Sequence, residues 1–467
     1  MPTKPVYRWL HLGLGSFHRA HQAVYMQALH DAGDRQWQLA AGNLRPDQME
    51  TVQALQHQQG AYTLETISPS GEHRYQRITA LSEVIAYEPQ LRRLVELASD
   101  PASRILSFTV TEAGYYLDAD HQLDFAAYPD LAADLARAKQ GQPGTTLYGA
   151  LTAMLRARMG AKAGPLTLLN CDNLRHNGDR ARSGVLQFIG QLGDAALADW
   201  VQTHTTWPNC MVDRITPRPT PEVRARVLAA TAIDDPAAVM GEHFIQWVIE
   251  DDFCNGRPAL QTVGVEMVES VLPYEEAKIR LLNATHSCIA WAGTLAGYGY
   301  IHEGTRDPRI RQLAFDYVTD DAIAALQPSP IDLAAYRDVV LDRFGNAALR
   351  DTNQRVAMDG FAKIPGFIAP TLRERLARDQ SIASVAMLPA LFLAFLQRWH
   401  QGSLPYEYQD QAMDVAAAHA ICAAPDPVRR FADDLTLWGD LAGDKRLTLA
   451  LELAAQRVSR FVAEHGR

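Results

Sequence analysis

Two glycines set directly behind a short apolar run constrain this fold more than any other feature of the chain. Tyr7-Arg-Trp-Leu-His-Leu reads as an opening strand, Gly13-Leu-Gly15 follows at once, and Arg19-Ala-His-Gln-Ala-Val-Tyr-Met-Gln-Ala-Leu reads as the helix beyond the turn. Glycines there permit a tight turn and let a pyrophosphate approach the backbone at a helix N-terminus. A strand, glycine turn and helix in this order belong to a doubly wound α/β sheet that holds a dinucleotide. His18 stands where a third glycine would complete the fingerprint, so the turn alone is an incomplete motif. Trp37-Gln-Leu-Ala-Ala-Gly42 reads as the second strand. Beyond it, Asp47 offers a carboxylate for a ribose 2′-hydroxyl and Arg45 a guanidinium for a 2′-phosphate, and NAD is the expected cofactor. The candidate cofactor residues are Gly13, Gly15, Ser16, Phe17 and Asp47. His18 and His21 at i, i+3 lack a carboxylate or cysteine partner, so no metal site is expected.

Alternating short apolar and longer amphipathic stretches continue through about residue 265, the α/β pattern. Ile105-Leu-Ser-Phe-Thr-Val-Thr ends at Glu112, Leu166-Thr-Leu-Leu at Asn170-Cys-Asp172-Asn173, and Cys210-Met-Val at Asp213. Polar side chains at the carboxyl ends of parallel strands are where an open α/β sheet places its ligand. The same residues also suit helix caps and turns. From about residue 268 the pattern turns helical: Tyr274 to Ala296, Ile331 to Arg343, Ile382 to His400, Tyr406 to Ala424 and Arg446 to His465. The expected organisation is a Rossmann-type α/β dinucleotide-binding domain over 1–267 and a mainly α-helical substrate-binding domain over 268–467.

Within the first of those helices, Lys278-Ile-Arg-Leu-Leu-Asn283-Ala-Thr-His286 sets an ammonium, an amide and an imidazole in an apolar run. At about 100° per residue on an α-helix, Asn283 lies roughly 140° and His286 roughly 80° round from Lys278, all on one broad side. A lysine among leucines loses hydration, which disfavours its charged form and suits it to act as a general base. The amide can donate to an oxygen gaining negative charge, and the imidazole can orient a hydroxyl. An amphipathic helix with a snorkelling lysine and a satisfied histidine would show the same spacing.

The formal net charge of −10 and the lack of any basic run argue against nucleic-acid binding. Five cysteines, far apart and with no CxxC pair, fit reduced thiols in a cytoplasmic protein. No apolar stretch approaches the roughly 20 residues that a membrane span requires.

Taken together, these residues resemble the polyol-specific long-chain dehydrogenase family, also called the mannitol dehydrogenase family. The resemblance covers nearly the whole chain. It is carried by Gly13-Leu-Gly-Ser-Phe-His-Arg-Ala-His-Gln22, Thr111-Glu-Ala-Gly-Tyr115, Cys171-Asp-Asn-Leu-Arg-His-Asn-Gly178 and Val212-Asp-Arg-Ile-Thr-Pro217. Phe244-Ile-Gln-Trp-Val-Ile-Glu-Asp251, Lys278 to His286 and Arg355-Val-Ala-Met-Asp-Gly-Phe-Ala-Lys363 complete it. His18 in the third-glycine position is usual in that family. The resemblance implies metal-independent hydride transfer between a secondary alcohol and a nicotinamide, with Lys278 as general base. It gives Asn173 and Asn283 the charge on the substrate oxygen, His286 the alignment of the hydroxyl, and Glu112 the relay of the lysine's proton. Asp213, Arg355 and Lys363 become substrate-binding residues. Met358 replaces a histidine of some mannitol enzymes. The opening Trp9-Leu-His-Leu-Gly-Leu-Gly block, Ala40-Ala-Gly-Asn-Leu-Arg45 and Leu64-Glu-Thr-Ile-Ser-Pro69 resemble the branch that interconverts D-arabinitol and D-xylulose. D-mannitol to D-fructose is the alternative, and mannonate or altronate oxidation a third. A silent NAD-binding sensor on the same fold is the alternative outside enzymes, and the retained Lys278, Asn173, Asn283 and His286 speak against it. Family members are often monomers, and a monomer is expected here.

Overall fold

Alternate residues of the first strand are apolar on both of its sides, and that commits both faces to burial. β1 (Tyr7–Leu12) turns Trp9 one way and Leu10 and Leu12 the other, all fully buried. A strand covered on both faces belongs inside a parallel sheet flanked by helices. The computed structural model describes residues 6–110, 112–118 and 122–465, the side chains of Glu112 and Ala113 excepted. Among these the further strands are β2 (Trp37–Gly42), β3 (Tyr62–Ile67), β4 (His73–Ile78), β5 (Leu81–Ile85), β6 (Ser103–Phe108) and β7 (Leu166–Asn170). β8 (Thr205–Thr206), β9 (Cys210–Asp213), β10 (Val239–Glu242), β11 (Gln246–Glu250) and β12 (Glu266–Val268) follow. The chain divides into two compact units, the first ending at Leu272 and the second comprising Pro69–Gly71 and Pro273–Arg467.

In the first unit, β5-β2-β1-β6-β7-β8 form a six-stranded sheet, parallel throughout. Counting only its own strands, the order is 3-2-1-4-5-6, the doubly wound Rossmann arrangement, with the reversal between β1 and β6. Helices Ser16–Ala20, Gln22–Asp31 and Met49–His57 cover one face, over Trp9, Leu39, Ala41, Ile105 and Leu169. Helices Arg92–Ala98, Leu147–Ala161 and Asn177–Leu192 cover the other, over Leu10, Leu106, Phe108 and Leu168. Two small sheets, β10-β3-β4 and β12-β11-β9, complete the unit.

One strand departs from expectation. β9 does not extend the parallel sheet; it runs antiparallel to β11, with Asp213 opposite Gln246. All four of its residues are buried, and an apolar run buried on both sides carries no period that assigns it to one sheet rather than another. β6 also stops at Phe108, short of the expected end, and Glu112 opens a 3-10 turn, Glu112–Tyr115.

In the second unit, helix Ala284–Leu295 lies in the middle of the core, with only Asn283 and His286 of its first turns less than fully covered. The expected helix from Tyr274 to Ala296 is three segments: α over Leu272–Ala277, π over Lys278–Asn283, α over Ala284–Leu295. The Ala284 N–H donates to Ile279 O, five residues back. Five residues are about one π-turn, so Asn283 stands nearer in line with Lys278 than the α-helical spacing implies. Two other helices start late. Tyr406 to Asp414 runs as turns before helix Val415–Cys422, whose Ala416 and Ala417 amides donate to Asp414. Ser384 and Val385 amides are held by Asp321, and the helix begins only at Met387. Helix Lys445–His465 buries Leu447, Leu451, Ala454, Val458 and Phe461, one amphipathic stripe. Among the described residues no helix is long and apolar enough to cross a membrane.

Candidate active site

The glycine turn sits at the sheet's reversal point, where β1 ends. Gly13 has φ +125°, and a Cβ there would meet Thr109 O at 3.2 Å. Around Gly15 a Cβ would meet nothing within 4 Å, so this backbone is open to a ligand. Ser16 opens the five-residue helix Ser16–Ala20, and Phe17 stacks on His21 at 4.9 Å. The turn is tied to the loop beyond β2 by Asn43, whose Oδ1 accepts from Leu14 N at 2.8 Å and whose Nδ2 donates to Asp47 O at 3.1 Å. The Asp47 side chain is exposed beside it. Arg45 is engaged elsewhere: its Nε donates to Thr145 O at 3.2 Å and its Nη2 to the Tyr116 hydroxyl. An open glycine backbone, a strained φ that only glycine accepts and a carboxylate beyond β2 fit an adenine dinucleotide with a free ribose hydroxyl.

His18 is a fully buried residue of helix Ser16–Ala20. Its ring stacks on His11 at 3.6 Å, while His21 Nε2 bonds Gln246 O. Burial holds His18 down to about 3 and His11 well below the usual imidazole range, so both rings are neutral. His11 in turn bonds Ser107 and Thr109 of the neighbouring strand and its continuation, at 2.6 and 2.7 Å.

Of the residues expected on the substrate side in this unit, Asn173 is exposed just beyond β7, and Asp213 is the buried last residue of β9. Glu112 contributes its backbone to the 3-10 turn, and its side chain lies outside the described residues.

The second unit carries five of the expected residues and two that sequence reading passed over. Lys278 is buried at the start of the π-turn and Asn283, half-buried, ends it. His286 follows one turn on, stacked on Phe344 at 4.3 Å. Its Nε2 is 3.1 Å from Asp351 Oδ2, close to but outside hydrogen-bond geometry. Burial lowers the His286 imidazole below its usual range, against the opposing pull of Asp351. Arg355 grips the same carboxylate through Nε at 2.8 Å and Nη2 at 2.6 and 2.7 Å. Lys363 donates to Val356 O at 2.7 Å, and burial draws its ammonium down to about 8. Asp351 is thus the hinge between the imidazole and the guanidinium. Its i, i+4 spacing to Arg355 was the available signal. Glu275, buried one turn ahead of Lys278, also went unremarked.

The mannitol dehydrogenase Rossmann domain model matches residues 7–262, and the mannitol dehydrogenase C-terminal domain model matches residues 270–459. A D-arabinitol 4-dehydrogenase of Ralstonia nicotianae is 57% identical over 457 residues, 97% of each chain. A D-arabinitol 4-dehydrogenase of Klebsiella pneumoniae is 54% identical over 438 residues, 94% of this chain and 95% of that one. Among solved structures, the Pseudomonas fluorescens mannitol 2-dehydrogenase ternary complex with NAD and D-mannitol superposes with a TM-score of 0.81. It is 31% identical, covering 99% of this chain and 94% of that one.

Proposed function

This chain belongs to the mannitol dehydrogenase family, and from that membership we propose that it is an NAD-dependent polyol dehydrogenase that interconverts D-arabinitol and D-xylulose. The observation that carries this reading is the 57% identity, along 97% of both chains, to a D-arabinitol 4-dehydrogenase. The division of labour follows the sequence: residues 1–267 hold the dinucleotide and 268–467 supply most of the substrate contacts. The protein works as a cytoplasmic monomer on a small-molecule polyol.

Gly13, Gly15, Ser16 and Phe17 receive the pyrophosphate, and Asp47 takes the ribose hydroxyl. When bound, NAD supplies the hydride acceptor. The remaining chemistry belongs to this chain. Lys278, buried at the start of the π-turn, accepts the proton of the reacting hydroxyl. Asn283 and Asn173 donate to the oxygen as it gains negative charge. His286, neutral and backed by Asp351, aligns the hydroxyl. Arg355, Lys363 and Asp213 bind the more distant hydroxyls, and Glu112 passes the lysine's proton outward.

Initial rates of NAD reduction at alkaline pH, with D-arabinitol and D-mannitol side by side and NADP in parallel, test the proposal. The expected result is a higher kcat/KM for D-arabinitol with NAD. A preference for D-mannitol overturns the substrate assignment, and no reduction with either polyol overturns the function.

A further inference from the structure

A carboxylate with no cationic partner is buried at the carboxyl end of β7. Asp172, the neighbour of Asn173, is 7% exposed, and among the described residues no lysine or arginine pairs with it. Burying a carboxylate unpaired is costly, so the group earns its place only through what its two oxygens hold. Oδ1 accepts the Val110 N–H at 2.8 Å, from the segment leaving β6. Oδ2 accepts the Tyr115 hydroxyl, from the 3-10 turn that Glu112 opens. The same hydroxyl receives Asn170 Nδ2 at 2.8 Å, and Asn170 Oδ1 accepts Asp172 N at 2.9 Å. Asn177 Nδ2 ties the loop's far side, donating to Asp172 O at 2.9 Å and Cys210 O at 2.8 Å. The donors run one way, Asn170 to Tyr115 to Asp172, so each bond polarises the next.

We propose that Asp172 and Tyr115 are positioning residues for the reaction: their buried hydrogen-bond chain locks the loop bearing Asn173 to the segment that follows β6. This rests on the reading of Asn173 as a donor to the substrate oxygen. The chain closes only with Asp172 ionised. A protonated carboxyl, or an amide in its place, must donate toward Tyr115, whose own hydroxyl hydrogen then loses its acceptor. Burial pushes the Asp172 carboxyl up to about 7, against the Tyr115 and Val110 hydrogen bonds that pull it down. Among the described residues the ionisable groups facing it are the Tyr115 phenol and the Cys171 thiol, both pushed up by burial, with the Tyr148 phenol behind Tyr115. The latch therefore shuts as pH rises through about 7.

The test compares Asp172→Asn, Tyr115→Phe, the double variant and Asn173→Ala in D-arabinitol oxidation, with NADH binding followed by fluorescence. Misplacing a donor by about 1 Å costs on the order of 10²-fold, and the loss is expected in kcat with NADH affinity retained. The double variant should lose no more than the worse single, because both break one chain. Beyond the acid-side fall that the Lys278 base gives every variant, wild-type kcat/KM should show a further drop below about pH 7 that is missing from Asp172→Asn. Tyr115→Phe keeps the carboxylate and serves if Asp172→Asn folds poorly. Wild-type rates in both single variants, or losses that multiply in the double, overturn the proposal. If Asn173→Ala is impaired while the other two are not, the role of Asn173 stands and the latch falls. If Asn173→Ala keeps the full rate, both fall.

Discussion

In the proposed mechanism Lys278, buried at the start of the π-turn, takes the proton, so Lys278→Ala isolates proton removal from binding. Turnover should drop by roughly 10²–10⁴-fold while NADH titration stays unchanged. Lys363 tests the distal hydroxyls instead. Its amine is held at about 8 by burial, so it is charged below that pH and neutral above it. A hydrogen bond from a charged donor contributes about 1.5–3 kcal/mol. KM for D-arabinitol should therefore rise as pH passes 8, and Lys363→Met should show the raised KM at every pH. Asp351 shows why part of the site stayed hidden. The i, i+4 spacing to Arg355 is all that the sequence offers for Asp351, because the rest of its significance comes from His286, 65 residues earlier, folding against it. Residue types announce chemistry; only the fold announces partners.

Among the elements, those with strong local signals were legible and those set by pairing were not. The glycine turn, β1, β2 and β7 follow from alternation and turn chemistry that the chain carries locally. The antiparallel setting of β9 was not legible, since its four buried residues look alike from either sheet. Nor was the π-turn, because a leucine-rich run keeps its apolar face whether it is wound at α or π spacing. The turn at Gly13 yields the prediction for this scale. With φ at +125° and Thr109 O 3.2 Å from any added Cβ, Gly13→Ala carries strain of order 1–3 kcal/mol. It should weaken NADH binding about tenfold or more while leaving the helical unit's circular dichroism intact.

For the molecule as a whole, the expected cofactor couples function to stability. Ligand at 100 times its dissociation constant stabilises the folded state by about 2.7 kcal/mol. Scanning calorimetry with NADH should raise Tm by roughly 3 °C, NADPH should do less, and Gly13→Ala should blunt the gain. A shift with NADPH as large as with NADH would mean that Asp47 does not select the ribose. The six-stranded sheet carries one more consequence. It finishes at β8, which is two residues long. So short a rim leaves almost no backbone donors and acceptors for a foreign chain to pair with, and the sheet cannot be lengthened there by accretion. At this rim, then, association between copies has to come from side-chain surfaces rather than from strand addition.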